Sequence, residues 1–287
     1  MVNPQIKQLT LIPPKAPNLP IAPVDYTQTY QDQFLNALRL YFNQIDNFDI
    51  GLTSGSGGSV IKFPYFSAYQ NGATTLTANI TNVSTTPIQV TSTADFSSSG
   101  FLIIENEIIQ YTGKTATTFT GITRGVKGTT NVAHTAGVAV TEAEAVTSTT
   151  SGAMRLDTVT ASNGITCTVP DSKIYFNIAG LYNIQFSCQF LNYTTTDDNV
   201  TVWFKKNGTD VPYSASIEQV NAKHGTNPGA KILALNFIDQ FAVDDYIELY
   251  WASNTGNTVL ATYPAGTAPV HPVSPSLILT VTFVSAV

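Results

Sequence analysis

The chain has 287 residues, of which 43% are hydrophobic and 11% charged, and its formal net charge is −6 at pH 7. That length suffices for two domains of ordinary size, the acidic balance excludes the basic stripe of a nucleic-acid-binding protein, and no apolar run approaches the ~20 residues that cross a bilayer as a helix. Thr, Ser and Asn stand where charge is missing, as on exposed strands, so little repulsion keeps copies apart and self-association is expected.

Residues 1–24 contain Pro4, Pro13, Pro14, Pro17, Pro20 and Pro23, a density that precludes helix and predicts an extended, polyproline-like arm. Residues 1–20 lack the basic start and apolar centre of a signal peptide, so folding in a cytoplasm is expected. Asp25 then reads as a helix N-cap, with Gln28 three residues on as in a capping box. From there to Phe48 no Gly or Pro intervenes, and Tyr26, Tyr30, Phe34, Leu38, Tyr41, Ile45 and Phe48 recur at spacings of three or four, with Leu35 and Phe42 widening the stripe. This predicts a helix of ~22 residues, ~33 Å long. It lies between the proline arm and the Gly/Ser run GLTSGSGGS (51–59), expected to be a hinge, so little of its own chain is at hand to cover the stripe. Tyr26, Tyr30, Phe34, Leu38, Tyr41, Phe42 and Ile45 are therefore the candidate anchor residues, bundled with copies or docked in a partner; packing on the helix's own domain is the alternative.

Residues 60–73 read as a first strand. The Thr-rich block 74–145 holds short segments, ITNVSTTPIQVTS and GFLIIENEIIQYTGKTATTFTGITRG, punctuated by Gly100, Gly113, Gly121, Gly125 and Gly128, which predicts a small β-barrel or meander near the lower size limit for independent folding. From Val146 a sandwich pattern resumes. GLYNIQFSCQF, VTVWFKKNGTDV, LNFIDQFAVDDYIELYWAS and PSLILTVTFVSAV alternate apolar and polar residues at the strand period, with turn formers Asn207-Gly208 and Asp244-Asp245 between strands. Val202-Trp203-Phe204 and Tyr250-Trp251 should each turn one aromatic inward and one outward, the outward ring serving an interface between copies or a sugar. Cys167 and Cys188 fall on apolar strand faces and read as reduced core thiols, a disulfide being the alternative.

Signatures of catalysis are missing. His134, His224 and His271 show no HxxxH or HExxH spacing, neither Cys sits in CxxC, and GxSxG and Walker loops are absent, so neither a metal nor another cofactor is expected. The carboxylate clusters Asp244, Asp245, Glu248 and Asp197, Asp198 read as turn chemistry before acid–base pairs or a calcium loop. Asn79, Asn192, Asn199 and Asn207 head Asn-x-Thr tripeptides, which matter for glycosylation only in a secretory pathway. Tyr213, Tyr263 and His271 lie near predicted loops and are the candidate glycan contacts.

Three segments carry a resemblance. Residues 101–134, with Glu107-Ile108-Ile109, Tyr111-Thr112, Thr123-Arg124-Gly125, Gly128-Thr129-Thr130 and His134, resemble a small β-module inserted in many tailed-phage virion proteins. The C-terminal part, with Gly180-Leu181-Tyr182, Lys206-Asn207-Gly208, the run Asp244 to Leu249 and Pro275-Ser276, resembles the C1q/TNF-like jelly roll, which is trimeric in its relatives. The segment PNLPIAPVDYTQTYQDQFLNALRLYFNQIDNF is similar to the leader of structural proteins of marine and cyanobacterial phages. Together these imply a mainly β virion protein assembled in the host cytoplasm. Residues 1–50 would attach it to capsid, portal or tail, 51–59 would be the hinge, and 74–145 would be inserted in a jelly-roll domain made of 60–73 plus 146–287. The expected role is a homotrimeric fibre, spike or decorating protein, not an enzyme, without nucleic acid or membrane span. The alternative on the same fold is a carbohydrate-binding head that attaches to a host-surface glycan, and after it a polysaccharide depolymerase.

Overall fold

The computed structural model describes residues 15–21, 23–25, 27–53, 63–267 and 269–286, and it divides the chain into two compact units, 1–62 and 63–287. The protein is mainly β, with several antiparallel sheets and, among the described residues, one helix. That helix is not long and apolar enough to cross a membrane.

The first unit holds the helix, Gln28–Thr53. Its N-cap is Thr27, not the expected Asp25: the Thr27 hydroxyl accepts from Tyr30 N at 3.3 Å, satisfying one of the first-turn amides that no helical carbonyl reaches. At its far end the helix runs on through Gly51 to Thr53, so the expected hinge 51–59 begins inside it. A glycine there costs only about 1 kcal/mol relative to alanine, too little to stop the last turn. Residues 54–59 lie outside the described residues, as do Met1–Pro14 of the expected arm.

The second unit is built on two large sheets. The first places Thr158–Asn163, Tyr65–Gln70, Leu277–Ser285, Gly180–Asn192 and Gly229–Phe241 side by side. The second places Ile165–Thr166, Ile174–Phe176, Tyr246–Ser253 and Asp198–Lys206 in order, then Ser216–Val220 and Thr209–Asp210 along one edge, with Ser151–Ala153 also on Tyr246–Ser253. Their inner faces share one core. Tyr182, Ile184, Phe186, Cys188 and Phe190 face inward from one strand and join Val202, Phe204, Leu249 and Trp251 from the other sheet. Phe186 meets Phe204 edge-on at 5.6 Å, and Phe190 meets Trp251 at 5.4 Å. Alternation at the strand period is what separates these rings from the polar residues between them. Asn207 and Gly208 both take positive φ, 52° and 79°, as the tight hairpin between Lys206 and Thr209 requires.

Residues 74–145 have a core of their own around Leu76, Ile88, Leu102, Ile104, Tyr111, Phe119 and Val140. The stretch 80–92, expected as strand, contributes Ile88–Gln89 to a small three-stranded sheet and single bridges from Ile80 to His134 and from Val90 to Leu76; between these it turns, because Pro87 and the run of Ser and Thr before it favour turns over a ladder. The block is not hung on a linker. Its strand Ala139–Ala145 pairs with Val259–Ala261, which in turn pairs with Phe190 and Leu191, so the first sheet continues from the sandwich into the block. A third cluster, with Ile103, Ile108, Leu191, Tyr193 and Val259, fills the join.

Candidate functional site

The helix carries the anchor residues as a stripe. Tyr30, Phe34, Leu38, Tyr41 and Ile45 are half-buried, and Tyr30 stacks on Phe34 at 6.2 Å. Phe42 is 57% exposed, off the edge of that stripe, and Leu35 is likewise exposed. Tyr26 lies outside the described residues.

On the body, the outer face of the first sheet is unusual for what it lacks. Across Thr158–Asn163, Tyr65–Gln70, Leu277–Ser285, Gly180–Asn192 and Gly229–Phe241, no outward side chain is charged. Gln185, Ser187, Asn236 and Thr280 alternate there with Ile232, Ala234, Ile238 and Ile278. Ile232 is 62% exposed and Ile238 55%. Gly229–Phe241 is also an edge strand: its sole strand partner among the described residues is Gly180–Asn192. The strand's two charged residues, Lys231 and Asp239, point to the other side and pair with Glu218 and Lys206, so the outward side of this edge has none, and an apolar, uncharged surface of this kind associates unless covered.

The three candidate glycan contacts do not come together. Tyr263 and His271 line one recess of about 570 Å³ with Gln189, Lys231 and Ser274 at the end of that face. Burial raises the Tyr263 phenol above its usual range, and His271 Nδ1 lies 2.8 Å from the Pro272 carbonyl. Tyr213 is elsewhere, fully exposed at φ 64° in the link between Thr209–Asp210 and Ser216–Val220. The tryptophans follow the expected split. Trp251 is buried, with Tyr250 outward, and Trp203 is outward between buried Val202 and Phe204.

The carboxylate clusters are committed to structure. Asp245 accepts from Ala242 N at 2.8 Å and from Asn207 Nδ2 at 2.7 Å, within the turn. Glu248 accepts from Ser172 Oγ at 2.5 Å. Burial would raise Asp198, but hydrogen bonds from Ser253, Thr258 and Thr255 outweigh it and hold the carboxyl below its usual range. No group of three or more His, Cys, Asp or Glu able to hold a metal occurs among the described residues. Both cysteines are free thiols, pushed up to about 12 by burial and so poorly nucleophilic.

Two polar networks were not foreseen. In the block 74–145 Glu107 is fully buried; its oxygens take Arg124 Nε at 2.6 Å, Arg124 Nη2 at 2.7 Å, Gly125 N at 3.0 Å and Val132 N at 3.1 Å, with His134 Nε2 at 2.8 Å. Burial raises the Glu107 carboxyl, yet its bonds to Arg124, Val132 and His134 win and lower it. His134 Nδ1 reaches Glu105 at 2.6 Å. The spacing Glu107, Arg124, His134 was visible in the sequence, but nothing there shows that the three converge. At the join of block and sandwich, Glu142 takes Gln70 Nε2 at 2.9 Å, Ser97 N at 2.8 Å and Tyr111 Oη at 3.5 Å, and it pairs with Arg155. Two residues on, burial pushes Glu144 up to about 8. Two neighbouring carboxyls in unlike surroundings are an arrangement that acid–base chemistry uses. Here the four donors on Glu142 fill its acceptor sites, so it has none left for a substrate. The alternation of Glu142 and Glu144 in TEAEA was the legible signal for their shared face.

What fold and surfaces define is a mainly β protein with an uncharged sheet face and, among the described residues, one helix. No protein-family model matches the chain, and a search of curated proteins finds no match.

Proposed function

We propose that the protein is a structural subunit of a tailed-phage particle, a homotrimer whose body is a C1q/TNF-like jelly roll and whose residues 1–50 attach it to capsid, portal or tail. The observation that carries this reading is the uncharged outer face of the first sheet, with Ile232 and Ile238 more than half exposed along a free edge strand. Such a face loses nothing in desolvated charge when it meets a copy, and apolar burial supplies the association energy. The strand order supports the jelly roll: Tyr65–Gln70 lies against Leu277–Ser285, and the strands between pass repeatedly from one sheet to the other. The half-buried stripe of Tyr30, Phe34, Leu38, Tyr41 and Ile45 supports an attachment role for the helix.

The mass of the full chain in solution tests it. Three times 30.8 kDa is expected, and Ile238→Lys, which places a charge on the face, should yield a folded monomer. Removal of residues 1–50 should leave the trimer and abolish incorporation into particles. A monomeric wild type at micromolar concentration refutes the reading.

A further inference from the structure

The outer face of the second sheet differs in kind from that of the first. It carries two aromatic pairs, each formed across neighbouring strands. Tyr175 stands opposite Tyr246 with ring centroids 5.4 Å apart, and Trp203 stands opposite Tyr250 at 5.9 Å. All four rings are half-buried, so each keeps part of its surface open. Tyr246 and Tyr250 are four residues apart on one strand, about 14 Å at the usual rise. Polar groups fill the ground between and beside the pairs. Lys205 lies opposite Glu248; Ser172 bonds Glu248; Asp210 accepts from Trp203 Nε1 at 2.7 Å and lies 3.4 Å from Lys205 Nζ. Each pair also has its own ammonium, Lys173 over Tyr246 at 4.8 Å and Lys205 over Tyr250 at 4.4 Å. Tyr213 stands at the Trp203 edge of this sheet, fully exposed in a backbone conformation that a bulky residue seldom takes.

We infer that this face is a binding platform for an extended, neutral polysaccharide. A pyranose ring presents an apolar C–H face and a rim of hydroxyls, and it needs what is here: flat aromatic surface with hydrogen-bonding groups alongside. Two aromatic pairs along one line suit a chain of sugars better than a single sugar. The charges cancel, Lys173 and Lys205 against Asp210 and Glu248, so the face selects neither a polyanion nor a polycation. A second copy of the protein is the poorer occupant. Burying the partly hydrated charges of Lys205 and Asp210 costs more than burying the uncharged face of the first sheet. The platform stands independently of the trimer, which uses the opposite side of the sandwich.

Affinity electrophoresis of the full chain tests it, through gels containing hydroxyethyl cellulose, galactomannan or dextran, with alginate as the charged comparison. At least one neutral polysaccharide should retard the protein equally at low and high salt, because stacking is not screened. Trp203→Ala and Tyr246→Ala should each weaken retardation about tenfold, the loss of one ring's contact. If Trp203→Ala does not fold by circular dichroism, Trp203→Gln and Tyr175→Ala carry the same expectation. The proposal is overturned if no neutral polysaccharide retards the wild type, if alginate alone does so and only at low salt, or if Trp203→Ala turns the oligomer into a monomer. A wild type that is monomeric yet retarded overturns the trimer and leaves the platform standing.

Discussion

At the scale of the residue, the buried carboxyls decide how the second unit responds to pH. Glu107 is buried and Glu144 half-buried with its carboxyl turned inward, and burial alone raises both; their partners separate them. Glu107 faces a guanidinium, two amides and an imidazole, which together overcome the desolvation. Removing one side of so enclosed a pair leaves a buried charge uncompensated, at a cost of about 3–5 kcal/mol. Glu144 has the Arg155 amide at 3.0 Å and little else, so burial prevails and carries it to about 8. The folded state then holds a proton that the unfolded chain has already released above pH ~4.5. The stability tied to that proton is fully present below ~4.5 and is lost as pH rises through about 8. Glu144→Gln keeps the shape and removes the titration. The variant should gain about 2 kcal/mol over wild type at pH 9, less than the full shift because Glu144 retains some contact with water, and should match wild type near pH 4. Urea melts at the two pH values read it; an equal gap at both contradicts the account.

At the scale of the element, legibility in the sequence follows from how local the determining physics is. The hairpin at Asn207-Gly208 was readable because the turn needs positive φ at two adjacent residues and that pair supplies it. The long strands of the sandwich were readable because alternation is local, and so was the division of Tyr250 and Trp251 between opposite faces, though not which of them turns inward. The N-cap was misplaced by two residues because Asp25 and Thr27 are both competent caps, and only the hydrogen bond to Tyr30 distinguishes them. Convergence was not readable: Gln70 and Glu142, or Glu107 and His134, meet only through the fold. The helix shows both sides of this. Its stripe was plain in the spacing, and Gln31, Phe34, Leu38, Tyr41, Ile45 and Phe48 follow the alternating three–four step of a coiled-coil seam. Most of a helix's stability comes from packing its apolar face, and a lone helix has nothing to pack that face against. A peptide covering 25–53 should therefore show little helix when dilute and more as its concentration rises, and Leu38→Asp should remove the rise. Circular dichroism across a hundredfold dilution series reads this; helix content independent of concentration speaks for docking in an unlike partner.

At the scale of the whole molecule, the block 74–145 and the sheets it joins share too much to unfold separately. The ladder from Gly180–Asn192 through Val259–Ala261 to Ala139–Ala145 is one continuous sheet, and Leu191, Tyr193 and Val259 are buried against Ile103 and Ile108 of the block. Lys127 adds a bond from the block to the carbonyl of Val146, 3.0 Å away, and burial lowers its pKa. An insertion in a surface loop costs little closure entropy however long it is, but an insertion that lends a strand to its host becomes part of the host's core. Losing the block would bare Leu191, Tyr193 and Val259 and cost several kcal/mol in apolar burial alone. Residues 63–287 should therefore melt in one calorimetric transition whose calorimetric and van't Hoff enthalpies agree when expressed per cooperative unit. Replacing 76–137 with a short Gly/Ser loop should lower the melting temperature and expose dye-binding surface, not merely shorten the protein. Two resolved transitions in the intact chain, or a deletion variant as stable as the parent, would mean that the shared strand joins two independent folding units.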